Sequence, residues 1–349
     1  MMRNAPRPGS SLDFIAAIGL LRPVPNSNAF DIDWSALGRL RQSFLAGTAG
    51  VEDYWRQESD LASYDATFAQ RIGWKWDLVL SELLRSGWRP PAGEMLDWGC
   101  GSGVAARAFL DHFGAGSVGS VRFWDRSALA MAYAARRASE KYPGLPVHTG
   151  AAEAPSLVLL SHVLSELVPE QTETLLQALR PATAVVWVEP GNYESSLALI
   201  AIRERLRDHF QIVAPCPHQS VCGILAPGND PHWCHFFAEP PPGVASDPFW
   251  GRFAHLTGVD LRSLPVSYLV LDQRPAAPLP PDAMRLLGRP RLSKPGARLL
   301  CCDRHGVRER ELGRRDFPDL YRQVKREELP SLNCWRCDAR NILELRPCP

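Results

Sequence analysis

The chain has 349 residues, of which 45% are hydrophobic and 22% charged, and its formal net charge at pH 7 is +1. These values are typical of a globular protein with room for one large core or two domains. No apolar run is long enough to cross a bilayer, so we expect no membrane partner. Nine cysteines without a recognisable secretory signal argue against a disulfide framework and favour metal binding or chemistry.

The first ninety residues have the pattern of helices. Within residues 65–84, apolar side chains such as Ile72, Trp76 and Leu80 recur on one helical face. Residues 1–25 contain neither a signal-peptide core nor a cleavage site. An organelle-targeting segment remains an alternative there.

A strand and helix alternation follows. It predicts a parallel sheet covered by helices on both faces, and therefore an α/β fold. The predicted strands are 94–98, 120–124, 156–160 and 184–188, and the predicted helices are 104–113, 127–142, 170–179 and 195–209.

The pattern changes after Phe210. Short strand-like pieces flank a cysteine-rich loop, and two further strands are predicted at 266–271 and 297–302. We therefore divide the chain into an N-terminal helical region (1–90), a cofactor-binding domain with a cysteine loop at 216–234 (91–240), a β-rich basic appendage that completes a metal site (241–330) and a loosely structured tail (331–349).

The appendage concentrates positive charge. From Arg285 to Arg326 the sequence has thirteen Lys or Arg and five Asp or Glu, a net charge of +8, so the remainder carries −7. A basic segment on a mildly acidic body favours contact with nucleic acid, although a solvated surface rich in arginine has the same composition.

A glycine-rich turn is the first functional motif. Leu96-Asp97-Trp98-Gly99-Cys100-Gly101-Ser102-Gly103 follows a strand and opens a helix, where glycines let the backbone turn sharply and approach a ligand. Its spacing differs from the dinucleotide fingerprint. An acidic residue before the glycines is the pattern of S-adenosylmethionine-dependent methyltransferases, so Asp97, Gly99, Gly101 and Gly103 are predicted to bind that cofactor.

Asp125 ends the second predicted strand. A carboxylate in this position can accept hydrogen bonds from both ribose hydroxyls of a nucleotide. The alternative is that Asp125 caps the helix that begins near Ser127.

The turn after the third strand carries the catalytic candidates. His162 and Glu166 could act as acid or base there. The Asn/Asp-Pro-Pro-aromatic turn of methyltransferases that act on base amino groups is missing. We regard a pocket-lining role for His162, and a capping or pairing role for Glu166, as the stronger alternatives.

Three cysteines lie within one loop-like stretch. Cys216, Cys222 and Cys234 are followed by the distant pair Cys301-Cys302. Four thiolates can hold zinc or an iron–sulfur cluster. The wide, irregular spacing fits a cluster somewhat better than a zinc ribbon, but it leaves both open.

These motifs together resemble the methyltransferase-like proteins of the mitochondrial small ribosomal subunit and their bacterial relatives. The residues that carry the resemblance are Cys216-Pro217-His218, Cys222, Trp233-Cys234-His235-Phe236, Cys302 to Gly306, the glycine turn, Tyr64 to Thr67, Ser165-Glu166-Leu167, Glu189-Pro190-Gly191 and Asp319 to Arg322. The likeness covers roughly residues 60–330. Gly223 departs from it, since a proline is usual there, and so does the tail after Arg326.

The resemblance implies a class I methyltransferase fold, here with an N-terminal helical region and a β-rich C-terminal appendage. It also implies a [4Fe–4S] cluster on Cys216, Cys222, Cys234 and Cys302. Cys302 is preferred to Cys301 because only Cys302 has the Cys-x-x-x-Gly spacing to Gly306. Cys334, Cys337 and Cys348 have no role in the pattern.

The expected function is a cofactor-binding, iron–sulfur-containing protein of small ribosomal subunit assembly or translation. Its expected partners are the rRNA and proteins of that subunit, and away from the ribosome it is expected to be monomeric. The alternative is an active methyltransferase on rRNA or another acceptor, with a structural zinc or iron–sulfur site. The expected location is the cytoplasm of a bacterium, or the mitochondrial matrix in a eukaryote.

Overall fold

The computed structural model describes residues 32–46, 53–276, 278–338, 340–346 and 348. The stretch in which a targeting segment was considered lies outside these residues. Among these described residues, three helices precede the first strand, namely α1 (Trp34–Ala46), α2 (Glu58–Asp65) and α3 (Phe68–Arg85). The single helix expected over 65–84 therefore begins three residues later, after Thr67, whose hydroxyl donates to the Ser63 carbonyl.

Strands and helices then alternate. The elements are β1 (Glu94–Trp98), α4 (Val104–Phe113), β2 (Ser120–Trp124), α5 (Ala128–Lys141), β3 (Val147–Thr149), β4 (Leu157–Ser161), α6 (Pro169–Leu179), β5 (Ala184–Pro190), α7 (Tyr193–Leu206), β6 (Gln211–Ala214), β7 (Phe236–Ala238), α8 (Pro248–Thr257) and β8 (Leu264–Asp272). The alternation is as predicted up to α7, with β3 and α8 as additional elements that were not predicted.

These strands form an eight-stranded sheet in the order β3-β2-β1-β4-β5-β8-β6, with β7 paired to β8. Strands β1 to β5 are parallel to one another, whereas β8 runs antiparallel to both β5 and β6. A parallel sheet with an antiparallel strand inserted next to its last strand is the class I methyltransferase architecture. The fold class expected from the sequence is confirmed.

The sheet is buried on both faces, as crossover helices require. Trp76 of α3, Phe109 of α4 and Ala134 of α5 belong to the core on one face. Leu175 of α6 and Leu199 of α7 belong to the core on the other. The side chains of Trp76 and Trp187 are fully buried, one in each core.

A second, five-stranded antiparallel sheet follows. Its elements are β9 (Ala283–Leu292), β10 (Gly296–Asp303), β11 (Gly306–Gly313), α9 (Pro318–Lys325), β12 (Leu332–Cys337) and β13 (Ile342–Arg346), and the strand order is β11-β10-β9-β12-β13. Its own core includes Leu299, Tyr321 and Trp335.

Two details differ from the sequence expectation. The strand expected at 266–271 lies in the first sheet, between β5 and β6, and not with the β-rich appendage. The tail is not loose, because β12 pairs with β9 and β13 pairs with β12. The domain boundaries themselves remain predictions. Among the described residues, no helix is long and apolar enough to cross a membrane.

Candidate functional site

The glycine turn connects β1 to α4 at the carboxyl edge of the first sheet. Gly99, Gly101 and Gly103 have φ angles of +68°, +49° and +77°, which side-chain-bearing residues rarely adopt. A Cβ on Gly99 would lie 2.7 Å from Cγ1 of Val163, and one on Gly103 would lie 2.9 Å from Cβ of Ala134. A Cβ on Gly101 would meet no atom of the described chain within 4 Å. Gly101 is therefore the position where a ligand could approach the backbone.

Two carboxylates hold this turn in place. Asp97 is fully buried, and its Oδ2 accepts a hydrogen bond from the backbone N–H of Ala106 at 3.1 Å. Burial raises the pKa of Asp97 to about 7. Asp125 accepts from the N–H of Gly101 at 2.9 Å and from the N–H of Ser127 at 3.0 Å. Asp125 thus braces the glycine turn and the turn that leads into α5, but it does not cap that helix, whose N-cap residue is Ser127 without a side-chain cap bond. Its ribose role remains a prediction.

The segment after β4 lies against the turn. His162 has a φ of 58°, and its N–H donates to the carbonyl of Val188 at 2.9 Å. Its Nε2 lies 3.2 Å from Nζ of Lys75. Burial, and then the nearby Lys75, lowers the pKa of His162 well below its ordinary value. The imidazole is therefore neutral at pH 7.

The two glutamates near this segment differ in surroundings. Glu189 ends β5 fully buried, and its Oε1 accepts from the N–H groups of Val163 at 3.0 Å and Leu164 at 3.1 Å. It therefore shapes the segment directly. Glu166 lies 3.4 Å from the hydroxyl of Tyr54, and burial raises its pKa to about 7.

The four predicted ligand cysteines line one cavity between the two sheets. Cys216, Cys222 and Cys234 come from the loop after β6, and Cys302 comes from β10. The cavity is completed by Pro215, Pro217, Ile224, Arg285, Leu287 and Val307. Burial, and then the thiolates of the other three, raises the pKa of Cys234 well above its ordinary value.

Basic and backbone groups surround the cavity. Nε of Arg203 donates to Sγ of Cys216 at 3.2 Å, and Nε2 of His218 lies 3.5 Å from Sγ of Cys302. The carbonyl of Cys234 accepts from the hydroxyls of Ser196 and Ser267 at 2.8 and 2.7 Å. The loop is thus tied to α7 and β8 independently of its thiols.

Close packing explains why a glycine occupies position 223, where a proline was expected. A Cβ at this position would lie 2.4 Å from the backbone nitrogen of Val307 and 2.7 Å from Cα of Gly306. Nδ2 of Asn229 donates to the carbonyls of Gly223 and Val307 at 2.7 and 3.3 Å. The turn that contains Cys222 is therefore in direct backbone contact with the hairpin that carries Cys302.

As the side chains stand, no group of three or more His, Cys, Asp or Glu within the described ranges is arranged to hold a metal ion. The remaining cysteines lie elsewhere. Cys301 points into the core of the second sheet, and Cys334 forms a disulfide with Cys348. That disulfide was not expected from the sequence.

Sequence reasoning missed two buried cations near these sites. Arg285 pairs with Glu82 across the two sheets, with an Nη2–Oε1 distance of 2.7 Å. Lys75 lies between Trp74 and Trp76 and is also buried. The only sign of this burial in the sequence is that Lys75 stands within a run of residues otherwise suited to a core.

Comparisons with known proteins give a family and several distant structures. The family model described as mitochondrial small ribosomal subunit Rsm22 matches residues 87–329. No curated protein matches. A provisionally described RNA methyltransferase from Pyrococcus horikoshii is 13% identical, with 56% of this chain and 83% of that chain covered and a TM-score of 0.36.

Two further solved structures are methyltransferases of small molecules. Magnesium protoporphyrin IX methyltransferase from Synechocystis PCC 6803, with bound S-adenosylmethionine, is 13% identical over 71% of this chain and 100% of that chain, with a TM-score of 0.36. Precorrin-6y C5,15-methyltransferase from Geobacter metallireducens is 12% identical over 57% and 87%, with a TM-score of 0.32. The family match spans most of the chain, including the glycine turn and all four cavity cysteines, and the chain belongs to the mitochondrial small ribosomal subunit Rsm22 family.

Proposed function

We propose that this chain is an S-adenosylmethionine-binding, iron–sulfur-containing protein that acts with the small ribosomal subunit during its assembly or in translation. Cys216, Cys222, Cys234 and Cys302 hold a [4Fe–4S] cluster in this proposal. The glycine turn and Asp125 hold the cofactor. The cluster is a structural centre that joins the second sheet to the first.

The observation that carries the proposal is the convergence of the four cysteines. They were selected from spacing and resemblance, and they line one cavity although Cys302 belongs to the other sheet. Zinc and a [4Fe–4S] cluster can both be held by four cysteines. The preference for a cluster in this proposal rests on the wide cysteine spacing and on the resemblance described above.

The charges around the cavity support the same proposal. A cluster with four thiolate ligands is anionic, and Arg203 and Arg285 both lie beside it. Burial raises the pKa of Cys222 to about 11. The Cys222 thiol is therefore protonated before the centre forms, and metal binding must displace its proton. Hydrogen bonds to ligand sulfurs, such as that from Arg203, stabilise the thiolates and tune the centre.

Association with the small ribosomal subunit follows from family membership. The basic tract supplies a physical means of contact, since Lys and Arg bind rRNA phosphates. Three of its exposed side chains, Lys294, Arg314 and Arg315, lie together at one end of the second sheet, where Gly296 pairs with Gly313.

The cluster is tested by purifying the protein anaerobically and measuring its absorption spectrum with iron and sulfide content. We expect a brown protein with about four iron and four sulfide per chain. Cys302→Ser should lose most of the iron. The matched control is Cys301→Ser, which alters the adjacent thiol on the opposite face of the same strand and should keep it. A colourless protein with one zinc per chain would refute the cluster.

Methyl transfer is the second candidate activity. Glu166 favours it, because a carboxyl with a pKa of about 7 near the end of β4 suits a general base at neutral pH. Transfer of tritium from labelled S-adenosylmethionine to small-subunit rRNA, lost in Glu166→Gln, would support this activity. If the wild-type chain binds the cofactor but transfers no methyl group, its role is to bind the cofactor and not to catalyse transfer.

A further inference from the structure

Helix α3 carries two cations, one turn apart, that face the protein interior. Only 7% of Lys75 is exposed, and the hydrogen-bond partner of its Nζ is the neutral Nε2 of His162 at 3.2 Å. Nη2 of Arg71 donates to the carbonyl of Asp260 at 3.3 Å, and its buried Nε has no hydrogen-bond partner among the described residues.

Neither cation has a counterion in the described part of the chain. No carboxylate there lies within 4.0 Å of Lys75 or Arg71. Burial, and then Arg71, lowers the pKa of Lys75 to about 7, and burial, and then Arg41, lowers that of Arg71 to about 10. Glu189 for Lys75, and Asp260 for Arg71, offset this lowering of the pKa only from beyond ion-pair distance. A desolvated cation without a partner is costly, so this pair is suited to an anion from outside the chain.

The cations lie at the edge of the sheet where ligands of such folds bind. His162, the partner of Lys75, directly follows β4, and the next residue, Val163, lies against Gly99 of the glycine turn. The N–H of Val163 is in turn held by Glu189 at the end of β5. Ligands of open α/β sheets bind outside the carboxyl ends of the strands.

We propose that Lys75, assisted by Arg71, binds the α-carboxylate of the methionine end of S-adenosylmethionine. The proposal rests on the cofactor binding proposed above and adds the residues that recognise its amino-acid end. The carboxylate would supply the missing counterion, and Lys75 would exchange a hydrogen bond to a neutral imidazole for a charge-assisted one. His162 would be left as a neighbour of the bound ligand.

The test is calorimetric binding of S-adenosylmethionine and of its decarboxylated analogue to the full chain. We expect the wild type to bind the intact cofactor at least about tenfold more tightly than the analogue, the ratio that corresponds to about 1.4 kcal/mol. Lys75→Met should weaken binding of the intact cofactor about tenfold and leave analogue binding within about twofold. Lys75→Arg should retain the preference.

The control is Lys141→Met, an exposed lysine at the far end of α5 that pairs with Asp111. It should bind both ligands like the wild type. Equal wild-type affinity for the two ligands, or equal weakening of both by Lys75→Met, would overturn the carboxylate role and leave the cofactor proposal standing. No wild-type binding of either ligand would overturn both.

Discussion

Arg285 is the side chain on which contact between the two sheets most depends. It is almost fully buried on β9, and its two Nη groups donate to the two carboxylate oxygens of Glu82 on α3 at 2.7 and 2.9 Å. Its Nε donates to the carbonyl of Pro215, directly before Cys216, at 2.8 Å. The hydroxyl of Tyr268 donates to the same glutamate at 2.7 Å. The guanidinium therefore links β9 to α3 and to the start of the cysteine-rich loop.

Arg285→Met should lower the free energy of unfolding by about 3–5 kcal/mol, because it leaves the Glu82 carboxylate buried without its partner. The measurement is urea denaturation of the anaerobic protein. Arg298→Met is the control, since Arg298 is exposed on neighbouring β10 and its ion pair with Glu311 is worth about 1 kcal/mol or less. Equal losses in the two variants would contradict this account of Arg285.

Two glycines of the turn should respond differently to the same substitution. Gly101→Ala carries only the cost of a left-handed residue, about 1–2 kcal/mol, but points its methyl group where a ligand would approach. Gly103→Ala adds a clash with Ala134, so its loss should reach about 2–5 kcal/mol. Thermal unfolding should show the larger loss for Gly103→Ala. Calorimetry should show weaker cofactor binding by a folded Gly101→Ala protein. If Gly101→Ala lost more stability and Gly103→Ala bound the cofactor more weakly, the ligand would have to approach a different part of the turn.

A site marked by a rare combination of residue types could be predicted from the sequence, whereas the burial of charged side chains could not. Cys216, Cys222, Cys234 and Cys302 stand out because clustered thiols have few other uses in a reducing compartment. Lys75 and Arg285 look like surface residues in a linear sequence. Their burial depends on helix packing and on distant partners. Arg285, for example, bonds to Glu82, which lies more than two hundred residues before it in the sequence. Local pattern carries no signal of that kind.

Among the elements, β8 shows where local pattern reaches its limit. Its strand character is evident, because Leu264–Asp272 is almost wholly buried and apolar, as a central strand should be. Its sheet was mistaken, because a strand's own residues do not say which edge it joins. Strands β9, β11, β12 and β13 were missed for a related reason: their arginines, and the proline of β9, disguise the alternation, and the pairing of β9 with β12 is non-local.

The cysteine loop, residues 216–234, is the element whose order should depend most on the centre. Its only regular structure in the described chain is the short 3-10 turn Gly223–Leu225. Side chains of α7 hold it at several points, such as the Arg203 bond to the carbonyl of Ser220 at 2.8 Å, but the hydrogen bonds between its own backbone groups are confined to short turns. Loops with few backbone hydrogen bonds open at low free energy.

Removing iron with a chelator should therefore raise amide hydrogen exchange in residues 216–234 and in the turn between β10 and β11. Exchange in β4 and β5, which lie inside the sheet, should stay unchanged. Mass spectrometry of digested peptides would resolve these segments. The Cys302→Ser protein should show the faster exchange without chelator, and Cys301→Ser should not. Unchanged exchange in the loop would mean that the centre does not order it.

For the whole molecule, the surface charge of the second sheet is less available than the sequence suggests. Many basic side chains of the tract are paired with carboxylates, for example Arg291 with Glu309 and Arg308 with Asp303. The exposed Lys294, Arg314 and Arg315 have no such pair in the described chain. They are brought together by the Arg314 N–H, which donates to the carbonyl of Pro295 at 2.9 Å.

Replacing Lys294, Arg314 and Arg315 together by alanine should reduce the salt dependence of small-subunit rRNA binding. Each lost phosphate contact lowers the slope of log K against log salt by about 0.7–0.9, so the triple variant should lose about 2–3. Filter binding over a range of salt concentrations measures the slope. Three exposed arginines outside the tract, Arg136, Arg205 and Arg262, provide a triple-alanine control that should change it by less than about one. Equal changes of the slope in the two triple variants would show that charge spread over the whole surface, and not this group of three residues, contacts the RNA.

The antiparallel position of β8 also sets an order of events during synthesis. The edge of β5 stays unpaired until residue 272 has been made, and β6 has no partner before then. Cys216, Cys222 and Cys234 thus emerge on a segment awaiting its neighbour, and Cys302 emerges later still. A centre that requires all four sulfurs can close only after residue 302 has been made. Iron would then bind late in synthesis, and a chain truncated before β10 could not bind it with four sulfurs.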